Sequence, residues 1–101
     1  MKMVMIVFRD SLKDEVLTLL QARGIKAYTL LSEVTGMGQS GMARGAFASL
    51  GFNSLLLAAL PDDQADQAIG DLKAFHDGLA KEHPSGKAPV HAFVFPCTQV
   101  V

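Results

Sequence analysis

Between Glu33 and Gly51 the chain reads EVTGMGQSGMARGAFASLG, with Gly36, Gly38 and Gly41 inside six positions and Gly45 and Gly51 after them. A stable helix is a poor solution for this stretch, because each interior glycine destabilises it by about 1 kcal/mol relative to alanine. The stretch is also far longer than the roughly 2–5 residues that close a simple hairpin. The hydrophobic runs on either side, Ala27–Val34 and Phe52–Leu60, have strand character. A long glycine-rich connection between strands in a small domain usually serves function. Residues 36–51 are therefore expected to form a flexible, working loop held out by a plain scaffold.

The rest of the chain reads as that scaffold. Met3–Phe8 is a short continuous apolar run, which suits a strand buried on both faces. Arg9 and Asp10 follow it without a small-residue cleavage site, so the run reads as a strand and not as a secretion signal. Ser11 is placed to cap a helix, with Asp14 three residues on. Leu12, Val16, Leu19 and Leu20 then share one apolar face, and Gly24 suits the position just past a helix end. The first helix is expected over Leu12–Arg23, the second strand over Ala27–Val34 and the third over Ser54–Leu60. Pro61 ends that strand, and Asp62 or Asp63 is expected to cap a second helix. Its apolar residues Ala65, Ala68, Ile69, Leu72, Phe75 and Leu79 keep the spacing of an amphipathic helix. His83-Pro84-Ser85-Gly86 breaks it. A fourth strand spans Val90–Phe95, with Pro96 confining it to a sheet edge, and Cys97–Val101 is a candidate for a short edge strand.

The order β-α-β-β-α-β makes one α+β domain over residues 1–101, with two helices on one face of a sheet in the ferredoxin-like arrangement. The sheet's other face is expected to be apolar, and a soluble monomer rarely exposes such a face. Association through the sheet is the simplest remedy. Nine Lys and Arg against ten Asp and Glu leave a net charge of -1. That balance offers no electrostatic basis for binding nucleic acid or an anionic membrane. No apolar run approaches the roughly 20 residues of a membrane span. The lone Cys97 excludes an intrachain disulfide, so a cytoplasmic location is expected.

Catalytic chemistry finds no anchor. No Ser/His/Asp or Cys/His set has a recognisable spacing, and no paired carboxylates carry a pocket signature. The G-x-G after the second strand is followed by no helix, so it is not a dinucleotide fingerprint, and no G-K-[ST] completes a phosphate-binding P-loop. The chain is read as a non-enzyme. His76, His83 and His91 are scattered at unrelated spacings. His83 and His91 with Cys97 are the set to test for metal, but a structural role is the better account and no metal site is assigned. Met3 and Met5 are read as core residues, and Asp62, Asp63 and Asp66 as helix-start acids.

Three stretches, in this order, give the chain a resemblance. Glu33-Val34-Thr35-Gly36-Met37-Gly38 resembles the E-V-x-G-x-G of the PII signalling family, the trimeric nitrogen and carbon regulators. Ala43-Arg44-Gly45-Ala46 resembles the Y-R-G-A stretch of that family's T-loop, and Pro61-Asp62-Asp63 its P-D-D opening of the second helix. The resemblance implies a homotrimer with its sheets facing inward and adenine nucleotides bound in clefts between subunits. Matching effector positions are Thr29, Gly36, Gly38 and Gln39, with Gly86 and Lys87 in the family's B-loop. Glycine amides approach phosphates closely, Gln39 has hydrogen-bonding capacity for a phosphate or a metal-bound water, and Lys87 brings a point charge. Gln39, Arg44 and Phe47 are the loop residues that would meet a target.

The departures sharpen the expectation. Ala43 stands where bacterial PII proteins carry the tyrosine that is uridylylated, so that modification is excluded. The Glu82–Lys87 loop is abbreviated, and the family's C-terminal arginines have no match, which leaves Lys87, Arg44, Lys81 and Arg9 as the nearby cations. Losing two charge-assisted contacts of roughly 1.5–3 kcal/mol each would weaken a triphosphate site severely. ADP, AMP and ATP remain the candidate effectors, with a small anion such as bicarbonate beside them. The leading reading is a PII-like regulator that senses a small effector and controls a target, such as a transporter or a metabolic enzyme, through its glycine-rich loop. The rival reading is a metal-responsive or purely structural ferredoxin-like trimer with no nucleotide site.

Overall fold

A computed structural model of the chain describes residues 1–38, 41–42, 52–82 and 88–101. Strand β1 (Lys2–Arg9) runs into a single 3-10 turn (Asp10–Leu12) and helix α1 (Lys13–Ala22). Strand β2 (Thr29–Val34) follows, then a short pair, β3 (Met37–Gly38) and β4 (Gly41–Met42). Strand β5 (Asn53–Leu60), helix α2 (Asp62–Glu82) and strand β6 (Val90–Pro96) complete the order. The four long strands form one antiparallel sheet, β2-β5-β1-β6, which is the ferredoxin-like arrangement.

Burial along β1 alternates. Val4, Ile6 and Phe8 are buried, whereas Met3, Met5 and Val7 are only partly so. The expectation of a strand buried on both faces is thereby corrected, because both helices lie on one side. Their buried residues, Val16 and Leu20 from α1 and Ala65, Ala68 and Leu72 from α2, join β1 and β5 in one core. Pairing places Met3, Met5, Val7, Leu55, Leu57, Phe93 and Phe95 together on the other face, and Leu31 of β2 extends it. Leu31, Phe93 and Phe95 are 44%, 52% and 44% exposed, so this face is apolar and open.

The ends of α1 show local chemistry at work. Ser11 lies within the 3-10 turn, and the residue capping α1 is Leu12, with no side-chain cap bond, so the expected serine cap is not formed. The turn offers the backbone bonds that a cap would have replaced. At the other end Gly24 takes a left-handed φ of 73°. Its N–H donates to Gln21 O at 2.9 Å, and that of Ile25 to Leu20 O at 3.0 Å, a Schellman closure. Leu20 and Ile25, both buried, supply its apolar contact.

Helix α2 begins at Asp62, and the carbonyl of Pro61 accepts its first bond, from Ala65 N–H at 2.9 Å. The capping position therefore falls to Pro61, and Asp62 sits inside the first turn. Surface ion pairs hold α2 to its neighbours: Lys2 with Asp66 at 3.0 Å and a two-pronged Arg23–Asp71 pair at 2.6 and 3.0 Å. Strand β6 is an edge strand, as Pro96 requires, but Cys97–Val101 adds no strand. The lone bond of Cys97 N–H to Met1 O, at 3.3 Å, does not extend the ladder.

Candidate functional site

The sheet gathers its long connections at one corner. The β1–β5 ladder finishes with Arg9 opposite Asn53, and the β2–β5 ladder with Val34 opposite the same Asn53. Arg9 N–H donates to Pro89 O at 3.0 Å and Asp10 N–H to Phe52 O at 2.8 Å. The end of β1 thus holds the residues that lead into β6 and into β5. Ser54, fully buried, donates through Oγ to Asp10 Oδ1 at 2.7 Å and fixes the turn from below. Ala88, also buried, anchors the approach to β6.

Arg9 has no ion-pair partner among the described residues of this corner. Its Nε is buried and has no hydrogen-bond partner among the described residues. An unmet buried donor destabilises by about 1–3 kcal/mol, more for a charged group, so Arg9 would gain by turning toward an acceptor. A guanidinium offers a planar fork suited to phosphate, carboxylate or bicarbonate. The sequence alone places Arg9 last among several nearby cations. Its spacing from the glycine-rich segment gives no hint of the juxtaposition, which the β1–β5 pairing creates.

The exit from β2 is strained. Pairing shifts by one residue between Leu31 and Val34, and Glu33 there has a φ of 58°. For a residue with a Cβ the left-handed region is unfavourable by about 1–2 kcal/mol. This bulge re-aims the chain as it enters Thr35 and Gly36, both exposed. The segment beyond is not wholly an irregular loop, as expected from its glycines: Met37 pairs with Met42 and Gly38 with Gly41. Small residues permit such a pair as readily as a loop.

Of the residues singled out from the sequence, Gly36 and Gly38 follow directly from this corner. Thr29 lies at the far end of β2, exposed and opposite Leu57, about 15 Å along the strand from Val34. Gln39, Arg44, Phe47, Gly86 and Lys87 lie outside the described residues, as does His83. Among the described residues no three His, Cys, Asp or Glu side chains are grouped to hold a metal. His91 near the start of β6 and Cys97 just past its end are about 20 Å apart. No described helix is long and apolar enough to cross a membrane.

Comparison with known proteins bears on this geometry. A family model described as nitrogen regulatory protein P-II matches residues 1–101. The structure of CPII, a nitrogen regulatory PII-like protein from Thiomonas intermedia K12 bound to ADP, AMP and bicarbonate, is similar with a TM-score of 0.70. Its sequence is 22% identical, and the match covers 93% of this chain and 82% of that one. The apo form of CPII gives a TM-score of 0.68 at 17% identity, covering 93% and 85%. A PII-like signalling protein from Thermus thermophilus gives 0.60 at 21% identity, covering 93% and 82%. No curated protein sequence matches at a significant level.

Proposed function

Because the chain belongs to the nitrogen regulatory protein P-II family, we propose that it is a PII-like regulator whose effector binds at the Arg9 corner. The observation that carries the reading is the buried Arg9 Nε, without a hydrogen-bond partner among the described residues, at the point where both long connections meet the sheet. An anionic effector would complete that donor. ADP, AMP and bicarbonate suit it, and CPII is a fold relative bound to them. Gly36, Gly38 and Gln39 from one connection and Gly86 and Lys87 from the other are the further effector contacts we assign, with Thr29, at the far end of β2, reaching the effector only from a neighbouring subunit across the cleft. On this reading the protein acts by signalling and not by catalysis.

The open sheet face is the assembly surface. Three copies of this single domain, residues 1–101, would cover Met5, Leu57 and Phe93 with one another and leave the effector clefts between subunits. Residues 36–51 would carry the output, with Gln39, Arg44 and Phe47 meeting a target protein in the cytoplasm. The energetics are those of a loop whose conformers have different affinity for the effector, so that binding shifts their populations.

Calorimetric titration with ADP, AMP, ATP and bicarbonate, each with and without Mg2+, tests the reading. One saturable heat per subunit for a nucleotide or bicarbonate is expected, weakened by Gln39→Ala and by Lys87→Ala with the trimer intact. Silence across all four overturns it.

A further inference from the structure

A second recess lies between α2 and the edge strand β6, and Val90 is its residue nearest the Arg9 corner. Its volume is about 390 Å³, at the small end of the range for ligand pockets. It exists because the sheet extends beyond the helix that covers it. Ala92 is paired with Ile6, so it faces the helical side, yet it is exposed where Ile6 is fully buried. The small alanine side chain leaves a hollow, floored by Leu72 and Val90, both buried.

The rim is polar on one side only. Lys73, His76 and Asp77 come from neighbouring turns of α2, while His91 of β6 lines the recess but pairs with Val7, on the open face. Asp77 Oδ1 lies 3.2 Å from His76 Nδ1, so the one carboxylate of the rim is already engaged. Lys73 has no ion-pair partner among the described residues. An apolar floor beneath an ammonium and an imidazole calls for a ligand with a hydrocarbon body and a negative head.

We propose that this recess binds a small amphiphilic carboxylate, an aromatic or branched monocarboxylic acid. The carboxylate meets Lys73 and His76, and the hydrocarbon body rests on Leu72, Val90 and Ala92. The site borders the effector corner at Val90 but uses none of the effector contacts assigned above. Charge complementarity selects the head group, and the hollow over Ala92 limits the body to about one ring.

Benzoate is the probe, with benzyl alcohol as its uncharged counterpart, titrated into the full chain labelled with 15N. Saturable amide shifts over Leu72–Asp77 and Val90–Phe93 are expected, with benzoate bound about fivefold or more tightly than the alcohol. Lys73→Met keeps the aliphatic stem and should erase that preference while leaving the alcohol's affinity alone. Ala92→Leu should fill the hollow and weaken both probes, with the dispersion of the remaining amides showing that the fold survives. The proposal is overturned by shifts confined to the neighbourhood of Arg9, by equal affinity for the two probes, or by no saturable shift along α2 and β6.

Discussion

Ser54 donates to the Asp10 carboxylate at 2.7 Å from a position with no solvent exposure. The bond joins β5 to the turn after β1, directly beneath the corner where the connections converge. Removing the hydroxyl leaves a carboxylate oxygen in a partly buried place without its donor. Ser54→Ala should lower unfolding free energy by about 1–3 kcal/mol in urea denaturation. An unchanged transition midpoint would mean that water replaces the hydroxyl at no loss.

Arg9 should behave in the opposite manner. Its buried Nε has no partner among the described residues, so Arg9→Met should leave thermal stability unchanged or slightly higher. Effector affinity should fall by about tenfold or more, the loss of one charge-assisted contact. A variant that binds normally and melts early would make Arg9 a structural residue.

The Arg23–Asp71 pair sets a pH dependence. The Arg23 guanidinium, by hydrogen bond first and by charge as well, holds the Asp71 carboxyl below its ordinary value, while partial desolvation opposes the shift. A carboxylate depressed on folding stabilises at pH above its unfolded value, and the contribution is lost as pH falls through the folded one. The melting-temperature gap between the wild type and Asp71→Asn should therefore be present at pH 7 and close below the carboxylate range. Both side chains are partly exposed, so salt should shrink the gap at neutral pH. A gap that persists at pH 2 would point to packing rather than charge.

Glu33 tests the bulge. At φ 58° a β-branched side chain is worse than glutamate, and glycine has no penalty. Glu33→Ile should destabilise by about 1 kcal/mol or more, whereas Glu33→Gly should stay near the wild type. Equal stability of the two in chemical denaturation would show that the chain relaxes at this point.

Leu57 tests the open face. It lies in the middle of β5 on the apolar side, opposite both Met5 and Thr29. Leu57→Lys should convert the proposed trimer to monomer, read by light scattering after size exclusion, with helical circular dichroism retained. A variant that keeps its trimeric mass would place the subunit contact elsewhere.

Most of the scaffold was legible in the sequence, because periodicity reports directly on burial. The four long strands and both helices lie within about two residues of expectation, and Gly24 sits where a left-handed helix end requires it. Met3, Met5 and Val7 misled because an apolar side chain looks the same whether helices cover it or an open face displays it. Ser11 has the right chemistry for a cap, but a 3-10 turn reaches the same amides first. The pairing of Met37 with Met42 left no trace, since glycine allows both strand and loop. Arg9 was one of four candidate cations in the sequence, and only strand pairing, a relationship between distant residues that local patterns do not encode, gave it its place at the corner.

The bulge in β2 also bears on how relatives of different length are matched. Thr29 and Leu31 share one face of the sheet, and Val34, an odd step away from Leu31, pairs with Asn53 on that same face. One extra residue inverts the parity of the strand and then restores its alignment. A relative lacking one residue at Ser32 or Glu33 would keep each side chain on its side and forfeit only the bend. A gap at this place in an alignment is thus a change of direction at the loop's root, with the sheet beneath it untouched.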